Sequence, residues 1–165
     1  MQELTLYLAD EAATQAVAQA FAPALTVGRL IWLQGDLGAG KTSFIRALLR
    51  GLGVVGAIKS PSFVLVEPYQ IQLPNQALPL PFYHFDFYRC TQPQEWRDAG
   101  FAEYFVAPAC CAIEWPSQQT GLPPPDWQLS LMPQRAGRSL TFTAHTPAAA
   151  QWLSSASADL STSAA

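Results

Sequence analysis

The sequence predicts a three-layer α/β fold built on a central mixed β-sheet. Three observations predict it. Short apolar runs of strand length alternate with amphipathic stretches of helical length. A glycine-rich loop, Gly35-Asp36-Leu37-Gly38-Ala39-Gly40-Lys41-Thr42, joins one such run to one such stretch. Two aromatic-rich segments flank a Pro-rich connection, and a hairpin there makes the sheet mixed rather than purely parallel.

The elements follow in order. Leu4 to Leu8 alternates apolar and polar residues, as a half-buried strand does. Asp10 is placed to cap a helix over Ala12 to Phe21, with Glu11 in its first turn and an end near Pro23. Leu30 to Leu33 is a buried strand leading into the glycine loop. Ser43 to Leu52 has helical spacing at Phe44, Ile45, Leu48 and Leu49, with Gly51 and Gly53 as stop signals. Phe63 to Tyr69 and Phe82 to Phe87 read as strands joined by an exposed loop, Gln70 to Pro81. Pro93 opens a helix to Phe105, weakened or broken at Gly100, with Trp96, Phe101 and Tyr104 as candidate core residues. Cys110 to Ile113 is a buried strand ending at Glu114-Trp115. Pro123-Pro124-Pro125 is a stiff connector, and Gln128 to Met132 with Ser139 to Ala144 forms a terminal hairpin. The domain is expected over 1–146. The Ala/Ser-rich segment 147–165 is expected to be a frayed helix or a poorly ordered tail.

Composition narrows the function classes. The 165 residues suit one domain; half are hydrophobic, and 13% are charged, below the usual quarter, so a packed core is expected. A net charge of -3 without a long basic run argues against a broad, non-specific grip on nucleic acid. Cys90, Cys110 and Cys111 form no CxxC pair and read as buried hydrophobes of a reducing compartment. The start lacks the basic-then-apolar order of a secretory signal, and no apolar run reaches the ~18 residues of a membrane helix. A cytoplasmic location away from membranes is the expectation.

The glycine loop carries the strongest chemical signal. Gly35, Gly40, Lys41 and Thr42 satisfy G-x-x-x-x-G-K-[ST], the phosphate-binding loop. Glycines let successive N–H groups curl around one anion, and the following helix turns its N-terminus toward that anion. Gly38, Ala39, Gly40, Lys41, Thr42 and Ser43 are the candidate phosphate contacts. Lys41 would reach the β- and γ-phosphates, and Thr42 would ligate Mg²⁺. The strand-loop-helix context is the one this motif requires.

Two apolar runs end in carboxylates that could complete a Mg²⁺ site: Cys110 to Glu114 and Phe82 to Asp86. Spacing alone leaves open which acid touches the metal and which orients an attacking water. His84, among aromatics, reads as a hydrogen-bonded structural residue rather than a proton carrier. Arg89 could pair with a phosphate or a carboxylate. Trp115 either stacks on a purine or packs in the core.

Taken together, these residues resemble the TsaE family of bacterial ATPases. The resemblance rests on Gly35 to Phe44, Ser60-Pro61-Ser62-Phe63, His84-Phe85-Asp86-Phe87-Tyr88-Arg89 and Ile113-Glu114-Trp115-Pro116, in this order and spacing. Ser62 stands where the family usually has Thr, keeping the hydroxyl, and Phe87 replaces a commoner Leu. The resemblance implies a P-loop fold and weak ATPase activity. It also implies work with the TsaB and TsaD proteins, which place threonylcarbamoyl on adenosine 37 of tRNAs reading ANN codons. The tRNA would be met indirectly, through that complex. By the same likeness, Thr42 and Glu114 ligate Mg²⁺ and Trp115 lies at the adenine. Thr14 touches the nucleotide, as does Arg138, with Arg135 competing for the alignment. Lys41 and the acid Asp86 serve activity. Readings from other classes are a small phosphotransferase, which needs a second substrate pocket and an Arg-bearing lid, and a nucleotide-gated binding module. No Asn-Lys-x-Asp segment is present to read guanine.

Overall fold

The computed structural model describes all 165 residues. The strands are β1 (Gln2–Leu8), β2 (Leu30–Gln34), β3 (Val66–Ile71), β4 (Leu80–Asp86), β5 (Cys110–Glu114), β6 (Trp127–Gln134) and β7 (Gly137–Ala144). The helices are α1 (Glu11–Phe21), α2 (Lys41–Gly51), α3 (Glu95–Asp98), α4 (Ala102–Val106) and α5 (Pro147–Ala164), with short 3-10 turns at Ala22–Thr26 and Pro116–Gln118. One seven-stranded sheet has the order β1-β7-β6-β2-β5-β4-β3. Its centre is parallel, β2 pairing with β5 and β6, and β4 with β5. Antiparallel partners close both edges: β7 and β1 on one side, β3 on the other. The sheet is therefore mixed, as expected, and both predicted hairpins form.

Strand alternation sorts the core into two layers. Ile31, Leu33, Cys110, Ala112 and Phe82 face the large cluster under α1, α2 and α5. Cys111, Ile113, Phe85 and Phe87 face a smaller aromatic cluster with Trp96 of α3. The period of two that puts neighbours on opposite faces explains how adjacent cysteines enter different layers. All three cysteines are free and buried. Burial pushes the Cys110 and Cys111 thiols up to about 12 and Cys90 to about 11, which leaves them protonated and inert at neutral pH. No helix is long and apolar enough to cross a membrane.

Three elements differ from the sequence reading. The strand expected from Phe63 begins at Val66, because Leu65 sits in the left-handed region (φ 67) and its N–H donates to Pro61 O at 2.7 Å, closing a turn. Phe63 and Val64 are consequently exposed. The Pro-rich connection is shorter than expected: β3 extends to Ile71, and Ile71 and Leu73 are buried. The break expected at Gly100 is found: at φ 79 it splits the 93–105 helix into α3 and α4.

The third difference is the tail. Segment 147–164 is a helix, not a loose end. Thr146 accepts a hydrogen bond from Ala149 N–H and Pro147 occupies the first turn. Ala149, Leu153 and Leu160 are fully buried, and the Trp152 ring meets those of Phe21 and Trp127 at 5.8 and 5.7 Å. Alanine favours helix, and this apolar stripe gives the helix a face to bury. Leu153→Ala should cost about 2–4 kcal/mol, read as a lower urea midpoint. An unchanged midpoint would restore the loose-tail reading.

Candidate functional site

The site lies at the carboxyl ends of the parallel strands, where α/β sheets place their ligands. β2 delivers the chain into the glycine loop, and Gly40 (φ 103) caps α2 in the left-handed region. Gly35 is required by contact as well as by its φ of 143: a Cβ there would stand 2.3 Å from Leu131 O of β6. The loop is thus pressed against the sheet at one end and wound into a helix at the other.

Lys41, the first residue of α2, is buried. Its Nζ donates to Gly35 O at 2.7 Å and Asp36 O at 3.0 Å, and lies 4.2 Å from the centre of the Trp115 ring. Burial depresses its pKa from the usual lysine value, while the charges of Glu114, Asp86 and Asp36 oppose that shift. Thr42 Oγ1 donates to both Glu114 oxygens, at 2.8 and 3.1 Å. The Glu114 carboxylate is 2% exposed, and His84 Nε2 lies 2.8 Å from its Oε1. Gly38, Gly40, Lys41, Thr42, Ser43 and Glu114 line a concavity of about 180 Å³.

The donor set fits magnesium in kind. The Thr42 hydroxyl and Glu114 carboxylate converge, and both offer the oxygen ligands a hard cation prefers. No group of three or more His, Cys, Asp or Glu is placed to hold a metal by itself. Two protein oxygens suit an ion that keeps several waters and shares phosphate oxygens.

Asp86 is the register partner of Glu114, at the end of β4. It is buried, and its Oδ1 accepts the Tyr88 N–H at 2.9 Å. Desolvation is the chief cause of its raised pKa; the Tyr88 N–H opposes the rise and the Glu114 charge adds to it. Asp86 does not line the concavity above the loop. The period of two along β4 puts His84 and Asp86 on one face, so that alternation was the available signal for the His84–Glu114 contact.

The remaining candidates separate. Trp115 adopts φ 58, and this left-handed backbone turns its ring over the Lys41 amine, with Tyr88 at 4.9 Å on the ring. The adenine-stacking expectation meets a ring standing at the amine end of the loop. Thr14 is fully buried and its hydroxyl donates back to Asp10 O at 3.1 Å, so it presents nothing at the site surface. Arg138 packs against the loop: a Cβ on Gly40 would stand 1.9 Å from its Nη1. Arg135 instead lies over the Tyr7 ring at 5.9 Å, which favours Arg138 in that alignment. Arg89 covers the exposed Phe63 ring at 4.3 Å rather than reaching the loop.

The fold and this loop define an α/β protein of the P-loop class. A family model described as "Threonylcarbamoyl adenosine biosynthesis protein TsaE" matches residues 8–140. Relatives named tRNA threonylcarbamoyladenosine biosynthesis protein TsaE include one from Bacillus subtilis, 35% identical over 87% of each chain. Another, from Haemophilus influenzae, is 37% identical over 75% of this chain and 78% of that one. The crystal structure of YdiB from Bacillus subtilis superposes with a TM-score of 0.64 at 27% identity, covering 98% of this chain and 95% of that one. The chain belongs to the TsaE family.

The raised Asp86 pKa has a consequence for stability. An acid whose folded pKa exceeds its unfolded value contributes stability below the unfolded value, lost as pH rises through the folded one. Asp86→Asn should therefore raise the urea midpoint near pH 7.5. The gain should shrink as the pH falls and Asp86 itself takes up a proton. A variant less stable than the unmodified chain at pH 7.5 would reverse the assignment of strain to this carboxylate.

Proposed function

We propose that this protein is a Mg²⁺-dependent ATPase serving the threonylcarbamoyl modification of adenosine 37 in tRNAs that read ANN codons. The observation that carries the reading is the convergence of Thr42 and Glu114 beside Lys41 at the mouth of the glycine loop. Loop N–H groups and the start of α2 bind the phosphates of ATP, the substrate. Lys41 exchanges its two carbonyl partners, Gly35 O and Asp36 O, for β- and γ-phosphate oxygens. Arg138 adds positive charge beside Gly40.

Thr42 and Glu114 would hold Mg²⁺, which neutralises charge on the phosphate oxygens when bound. His84 fixes the Glu114 carboxylate from behind, as outer partners of metal ligands do. Asp86 orients the attacking water. The water oxygen bonds to the γ-phosphorus, the bond to the bridging oxygen breaks, and ADP and phosphate leave. Trp115 covers the amine end of the loop and is displaced or repositioned as the γ-phosphate enters.

TsaB and TsaD are the proposed partners, with tRNA met through them. Hydrolysis is weak alone and serves to reset or drive their cycle. Ser60 to Leu65 is the proposed relay. It touches the site through backbone, Leu65 O accepting the Asp86 N–H at 3.1 Å. Its two hydroxyls, Ser60 and Ser62, pair at 2.7 Å and its tip exposes Phe63 and Val64.

Lys41→Ala should weaken ATP binding by about 100-fold, because the charge-assisted bonds of its amine to the phosphate oxygens are lost. Glu114→Gln should raise the Mg²⁺ concentration needed for half-maximal hydrolysis, an amide being the poorer ligand. Calorimetry and phosphate release, alone and with TsaB and TsaD, measure both. Equal ATP affinity in Lys41→Ala would sink the site. Ser62→Ala should keep ATP affinity but lose part of the stimulation by the partners. Full stimulation in that variant would eliminate the relay, and none in the unmodified chain would count against the family role.

A further inference from the structure

The loop is braced from outside by a contact that the reading above does not use. β1 and β7 pair with Leu8 opposite Arg138. Next to it, a Cβ on Gly137 would stand 2.1 Å from Leu8 O and 2.9 Å from Ala9 O, so the two backbones touch where β1 gives way to α1. Asp10 then caps α1 through Ala13 N–H, and Glu11 is the first residue of the helix. From there its Oε2 lies 3.6 Å from Arg138 Nη2. At the other edge of the same guanidinium, Nη1 packs on Gly40, buried and without a protein hydrogen-bond partner.

We propose that Glu11 is a positioning residue for nucleotide binding, holding the Arg138 guanidinium against the phosphate loop with its unpartnered Nη1 free for the bound anion. The proposal rests on the nucleotide reading above. A guanidinium is a rigid planar fork, so fixing one edge fixes where the other points. A buried donor without a partner is costly, and a phosphate or ribose oxygen at Gly40 would satisfy it. Glu11 is 49% exposed and the pair is long, so it contributes little to fold stability. Its effect is directional.

The sign of one measurement separates positioning from simple charge. Glu11 is an anion near an anion site, so by Coulomb's law alone its neutralisation tightens nucleotide binding. Positioning demands the opposite. With the full-length chain and MgADP in calorimetry, Glu11→Gln should raise the Kd about 1.5- to fivefold, the range of an ion pair of this kind. Glu11→Asp, which keeps the charge but withdraws it by one methylene, should fall between. In an Arg138→Ala background, Glu11→Gln should leave the Kd unchanged or lower it. Urea midpoints of the nucleotide-free variants accompany each titration, and Glu11→Asp carries the comparison should the amide variant fold poorly. Unchanged or tighter binding in Glu11→Gln with Arg138 present overturns the proposal. So does equal weakening without Arg138. Failure of the unmodified chain to bind MgADP overturns the nucleotide reading and the proposal together; binding that Glu11→Gln leaves intact overturns the positioning role alone.

Discussion

The Glu114 carboxylate is the knot on which the site depends. It is buried in a sheet whose neighbours on β5 are Cys111, Ala112 and Ile113, and a charge in such a place must be fully hydrogen-bonded. Its partners come from two directions: Thr42 from the start of α2 and His84 from β4. The requirement to satisfy one carboxylate thereby ties the loop, the central strand and the hairpin strand into one geometry. Without it, the register of β4 on β5 would carry no message to the loop.

The glycine loop answers a different constraint. Its backbone must turn N–H groups inward while lying flat against β6, and Gly35 permits both at the same residue. Lys41 folds back onto the carbonyls of Gly35 and Asp36 and under the Trp115 ring. These contacts satisfy the hydrogen-bond donors of a desolvated amine. They are also weaker partners than an anion, since charge-assisted bonds to phosphate oxygens exceed those to neutral carbonyls. The arrangement is therefore preorganised for exchange rather than locked.

Much of this was legible in the sequence, and what was not has physical causes. The loop motif carries its own mechanism, and the acids Asp86 and Glu114 ended apolar runs, so their meeting at strand ends followed from strand length. Alternation along β4 also carried His84, although nothing local said that its partner would be a residue thirty positions away on β5. The Trp115 ring stands over the Lys41 amine because its backbone is left-handed, a feature that ring chemistry does not signal. Segment 147–164 was misread because Ala and Ser content resembles disorder, whereas Leu153 and Leu160 at helical spacing outweigh composition once α1 and β1 offer a surface. Leu65 broke a strand by a single dihedral angle that propensity averages away.

The pattern of errors separates two kinds of information in this chain. Residues fixed by hydrogen-bond chemistry at an element end, such as the helix cap Asp10, were placed correctly because the partner lies within a few residues. Residues fixed by long-range packing were not, because α5 and the first strand lie at opposite ends of the chain and meet only in the folded sheet. The same distance governs the site's two sides. The acids arrive on the parallel centre, where neighbouring strands hold them in register. The basic side arrives through Gly137 and the β1–α1 corner, an edge assembled from both ends of the chain. Closing that edge is what brings a guanidinium to the back of the phosphate loop, so completion of the fold and completion of the site are one event.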